Sequence, residues 1–173
     1  KSIPNLLGTA DFDREPEGIA ALRERVYAYR LGRAALHRDD KVLTAWNGLA
    51  LATLARAGLA MDEPRCLDAA RRMAEFLASR LTAPDGQLLA RWRDGDTAHP
   101  GKLDDYAFYA YGLLELYGAS FDPVYLARAA KLAERLLELF FDWERGGFYP
   151  YASDGEQLLP RTKEAYAGAM PSG

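Results

Sequence analysis

HRDDKVLTAWNGLALATLARAG, residues His37 to Gly58, decides how this chain is read. A charged entry, Asp39–Asp40–Lys41, leads to an aromatic–amide pair, Trp46–Asn47. An apolar run rich in small residues follows, in which Arg56 is the only charge. A helix that is apolar nearly all round is buried on more than one side. This stretch is therefore expected to be an inner helix of a helical layer, its polar first turn at the rim of a cavity and Gly58 its C-cap. The same pattern returns about sixty residues later in KLDDYAFYAYGLLELYG, Lys102 to Gly118.

What lies between repeats as well. Asp62–Glu63–Pro64 and Asp122–Pro123 read as helix starts, with Asp62 and Asp122 as caps and proline in the first turn. Leu67, Ala70, Met73, Ala74, Leu77 and Leu81 form one helical stripe; Leu126, Ala129, Leu132, Ala133, Leu136 and Phe140 form another. A shift of 59 residues superimposes Leu67 on Leu126 and Leu77 on Leu136. These are amphipathic outer helices. Asp94–Gly95 and Asp154–Gly155 then mark the turns of two short hairpins, over 87–99 and 147–161. Upstream, Pro16 and Glu17 open a further helix with Ile19, Leu22, Val26 and Tyr29 on one side.

A period of this length is a repeat architecture, in which each helical pair must stack on neighbours to bury its faces. The expected fold is all-α: antiparallel helical-hairpin repeats with short β-hairpins between them, forming a segment of a larger ring. The expected organisation is one domain over 1–173, with units at about 42–101 and 102–161 preceded by a helix at about 17–31. The cut flanks of such a segment predict self-association, through a face near Tyr109, Leu113 and Leu116.

With 49% apolar and 27% charged residues and a net charge of −3, the composition is that of a globular protein without a basic nucleic-acid footprint. No run of apolar residues is long enough for a membrane span, and the start carries no secretory signal. Cys66, the only cysteine, excludes an intrachain disulfide or a cysteine zinc site and fits a cytoplasmic location.

HRDDKVLTAWNGLALATLARAG, LDDYAFYAYGLLELYGASFDPVYLARA, FFDWERGGFY and the closing AMPSG resemble the C-terminal region of the YyaL-like, or spermatogenesis-associated-protein-like, thioredoxin-domain proteins. The resemblance covers almost the whole chain from about residue 15. It implies an (α/α)6 toroid similar to six-hairpin glycosidases and N-acylglucosamine 2-epimerases, with a thioredoxin-like domain N-terminal to it in the parent protein. The redox motif of that domain is absent here, so no thiol–disulfide function transfers.

In a toroid of this kind the N-termini of the inner helices converge on a central cavity, where oriented N–H groups favour anionic or hydroxyl-rich ligands. Trp46, Tyr106, Tyr109 and Trp92 are candidates to stack on a sugar face; Asn47, Asp104 and Asp105 can bind its hydroxyls. Glycoside hydrolysis needs two carboxylates, and Asp39, Asp40, Asp104 and Asp105 are the candidate catalytic residues. An acid at a helix start equally serves as a cap. Arg161 and Lys163 open the third unit and can face the same cavity. No metal site or cofactor motif is evident: GxGxxG, P-loop and GxSxG are all missing. The expected function is carbohydrate binding or processing, epimerase- or glycosidase-like, in a longer parent. The alternative is a non-catalytic helical interaction module attached to a thioredoxin-like domain.

Overall fold

The computed structural model describes residues 18–33, 35, 38–155, 162, 163 and 171. The chain divides into two compact units at the Asp39–Asp40 bond. The first contains helix α1, Ile19–Leu31, which follows Gly18 in the left-handed conformation and ends at Gly32. Its residues are all exposed, including Ile19, Leu22, Val26 and Tyr29.

The second unit holds strand β1 (Val42–Leu43), helices α2 (Thr44–Ala60) and α3 (Pro64–Arg80), strands β2 (Leu89–Arg93) and β3 (Asp96–Pro100), and helices α4 (Leu103–Ser120) and α5 (Pro123–Phe140). Thr44 and Leu103 begin the two inner helices, and Pro64 and Pro123 the two outer ones; each pair is 59 residues apart. The equivalence reaches single hydrogen bonds. After α3, Leu89 N–H donates to Leu81 and Ala83 N–H to Gln87; after α5, Tyr149 N–H donates to Phe140 and Asp142 N–H to Gly147. The second turn carries one extra residue.

Caps explain where the helices start, with two departures from expectation. Asp122 accepts from the Val124 amide as expected, but α3 is capped by Glu63, not Asp62. Asp62 instead takes a left-handed turn. Nor does Gly58 end α2. The helix continues to Ala60, and Gly58 is buried where a Cβ would lie 3.0 Å from the Leu67 amide nitrogen, so it lets α3 approach.

α2 and α4 run parallel and touch backbone to backbone. A Cβ on Gly48 would lie 2.5 Å from the Phe108 carbonyl carbon, and one on Gly112 would lie 2.6 Å from the Gly48 oxygen. The core fills the space between this inner pair and the outer helices with Leu51, Ala55, Ala74, Leu77, Tyr106, Tyr109, Leu113, Leu116, Leu132 and Phe140. Tyr109, Leu113 and Leu116 are therefore not an association face, because packing within the chain has already buried them. The exposed large apolar residues of the inner pair are Trp46 and Leu59 on α2 and Tyr111 and Leu114 on α4.

The Asp94–Gly95 turn has positive φ at both residues and closes β2 on β3 as a hairpin. β1 adds to it, giving an antiparallel sheet in the order β1-β2-β3. Of the second expected hairpin, 147–161, the described part up to residue 155 forms no strand, and residues 156–161 lie outside the described residues. The antiparallel bridge Phe141–Phe148 matches the Thr82–Leu88 bridge that precedes the first hairpin. No helix among the described residues is long and apolar enough to cross a membrane.

Gly48→Ala sets a gain in helix propensity of about 1 kcal/mol against a clash with backbone that cannot rotate away. Overpacking of this kind typically costs about 1–3 kcal/mol, so a net loss of stability is expected. Gly118→Ala meets nothing within 4 Å in the same helix layer and is expected to gain about 0.5–1 kcal/mol. Urea unfolding of both variants checks the pair.

Candidate functional site

The parallel packing of α2 and α4 sets their first turns side by side. Asp105 fixes the register. Its Oδ1 accepts from the Ala45 amide at 2.9 Å and its Oδ2 from the Lys102 amide at 2.8 Å, while its own amide donates to the Lys102 carbonyl. One buried carboxylate thus caps two helices. It also sits between two positive helix ends that would otherwise repel. Burial raises its pKa above the ordinary carboxylate value, against the lowering effect of the two amide bonds.

The remaining candidates separate by helix face. Asp104 is half-buried and shares a face of α4 with Tyr111 and Leu114; it has no hydrogen-bond partner among the described residues. Trp46 is 61% exposed on the first turn of α2. Asn47 Nδ2 donates to the Leu43 carbonyl at 2.8 Å, which holds its amide oxygen at the same end of the helix. Asp40 pairs with Arg93 at 2.8 Å, because the β1–β2 register carries the entry strand alongside Arg93. Asp39 is exposed and closes the first unit.

Three aromatic candidates are placed differently from the expectation that they stack on a ligand. Tyr106 is fully buried, its hydroxyl accepts from the Leu88 amide at 2.9 Å, and its ring packs on Phe140. Tyr109 is buried and donates to the Ala74 carbonyl at 3.0 Å, with burial pushing its ionisation well above the ordinary tyrosine value. Both pin α4 to its surroundings from the core side of the inner pair. Trp92 lies edge-on to Phe76 of α3, with ring centres 5.5 Å apart, and joins the sheet to the outer helix. Lys163 donates to Asp142 Oδ2 at 2.6 Å, in a cluster where Tyr149 and the Glu144 and Arg145 amides also donate to that carboxylate. The lysine, then Tyr149, hold Asp142 far below the ordinary carboxylate range. Arg161 lies outside the described residues.

Sequence reading passed over Tyr111, Arg56 and Glu115. The Arg56 guanidinium donates to the Tyr111 hydroxyl at 3.3 Å and lies 3.9 Å from Glu115, bridging the inner helices on their exposed side. Heptad spacing was the available signal: Tyr111 is seven residues from Asp104, whereas Tyr106 and Tyr109 align with buried Leu113 and Leu116. Among the described residues no group of His, Cys, Asp or Glu is placed to hold a metal ion.

Parallel inner helices, antiparallel outer partners and a hairpin after the first outer helix make this a segment of an α/α-toroid repeat protein. Two solved cellobiose 2-epimerases, which have the (α/α)6 toroid, share the fold. That from Spirochaeta thermophila matches with a TM-score of 0.59 and 25% identity, over 64% of this chain and 28% of the enzyme. That from Bacillus thermoamylovorans matches with a TM-score of 0.61 and 13% identity, over 77% and 42%. In sequence the chain is homologous to spermatogenesis-associated protein 20. The human and mouse proteins are each 32% identical over 180 residues, which cover 96% of this chain. The chain spans 23% of their length. No family model matches.

Asp105→Ala leaves two backbone amides without their acceptor, at about 1–3 kcal/mol for each one that stays buried. Asp105→Asn supplies only one acceptor oxygen for the two amides. The raised pKa sets the sign of the pH dependence: native Asp105 holds its proton more tightly than the unfolded chain does. The stability of the natural chain relative to Asp105→Asn is expected to be greatest below the ordinary carboxylate value. It should decline as pH rises through the native one, which denaturant titrations across acidic pH will measure.

Proposed function

We propose that this chain supplies two adjacent units of a toroid that binds a carbohydrate-type ligand at the N-terminal end of its inner helices. The observation that carries the reading is the in-register placement of two first turns, with the exposed Trp46 on one and, on the other, the half-buried Asp104, which has no hydrogen-bond partner among the described residues. A flat indole face beside a few placed polar groups suits a sugar ring and its hydroxyls. The likeness to cellobiose 2-epimerases supports the same ligand class.

In this reading Trp46 stacks on the sugar, and Asp104 and Asn47 accept from its hydroxyls. Hydrolysis by a carboxylate pair from this stretch is not favoured: Asp105 is committed to two amides and Asp40 to Arg93. The reading places the proton-moving groups of an epimerase-type reaction in the remaining length that the relatives have. Titration with cellobiose, followed by NMR, is expected to give saturable shifts at the Trp46 indole and the Asp104 and Tyr111 amides in the millimolar range. Trp46→Ala should abolish them. Absence of saturable shifts at these groups would overturn the reading and favour a non-catalytic interaction module.

A further inference from the structure

A concavity of about 370 Å³ lies between the outer helices α3 and α5, within the size range of small-molecule sites. It shares no residue with the inner-helix site. Its apolar part is Ala78, Leu132 and the ring of Tyr109, whose hydroxyl is already taken up by Ala74. Arg128, Lys131 and Arg135 reach it from one face of α5, at i, i+3 and i+7.

These three cations are not equally committed. Arg128 forms a two-pronged pair with Glu75. Arg135 uses Nη1 on Glu138, and its Nε is buried with no acceptor among the described residues. Lys131 has no ion pair among the described residues. Two acids, Asp85 and Glu134, also line the cavity, and Asp85 already accepts from the Gln87 amide. A buried guanidinium N–H without an acceptor is uncommon in folded proteins and calls for one. The neighbouring ammonium group adds a second donor on the same helix face.

We propose that this cavity binds a small carboxylate with a flat apolar body. Its carboxylate accepts from Arg135 Nε and Lys131 Nζ, and its body rests on Ala78, Leu132 and the Tyr109 ring. The probes are benzoate and benzamide, which share a shape and differ in charge. In NMR titrations of the intact chain, benzoate is expected to give saturable shifts confined to residues 82–86 and 128–135. Benzamide should bind at least about tenfold more weakly, because charge-assisted hydrogen bonds are roughly twice as strong as neutral ones. Arg135→Gln, whose partner Glu138 is exposed, should weaken benzoate binding severalfold, toward the benzamide level, with Lys131 left as the remaining charged donor. Ala78→Leu should remove binding by filling the cavity, with near-UV circular dichroism reporting the fold. Equal binding of the two probes, benzoate binding unchanged by Arg135→Gln, or no saturable shift from benzoate would each overturn the proposal.

Discussion

The close contact of two parallel helices is the constraint on which the rest of this structure depends. α2 and α4 approach until the backbone at Gly48 meets the backbone at Phe108, and Gly112 meets the Gly48 carbonyl oxygen. Side chains cannot mediate such an approach, so glycine is required on both surfaces. Because the contact is parallel, the helix dipoles do not cancel, and two positive ends come to lie together. Asp105 resolves this by accepting an amide from each helix. Its burial is unfavourable for a charge, and the two amide bonds offset part of that cost.

Everything outward of this pair follows in register. Tyr106 holds the start of the hairpin segment at Leu88, and Tyr109 holds the outer helix α3 at Ala74. Thr44, buried at the first position of α2, donates to the Leu89 carbonyl and ties the inner helix to the strand that follows its own outer helix. Phe140 closes the core against Tyr106. What remains on the exposed side of the first turns is Trp46 and Asp104, and further along the pair the Arg56–Tyr111–Glu115 bridge.

Much of the fold was legible because its signals are local. Helix starts at Pro64 and Pro123, the contrast between apolar inner and amphipathic outer helices, and the Asp94–Gly95 turn each need only a few residues to be seen. The 59-residue offset then assembled them into repeats. The site was less legible. Aligning the repeats located the right first turns but said nothing of which way each side chain points, and so Tyr106 and Tyr109 were grouped with Trp46 although they lie on the core face. The offset also hid the role of Asp105: its equivalent in the preceding unit is Trp46, so the shared cap is not a repeated feature. β1 escaped notice because two residues, Val42 and Leu43, carry no periodicity and become a strand only by pairing with β2.

Amide hydrogen exchange at Ala45 and Lys102 tests the central claim most directly. First-turn amides lack intrahelical partners and ordinarily exchange with little protection. If Asp105 bridges the inner helices, both amides will exchange as slowly as the middle of α4, and both will lose that protection together in Asp105→Ala. Rapid exchange at Ala45 in the natural chain, with α4 itself protected, would contradict a carboxylate shared between the two helices.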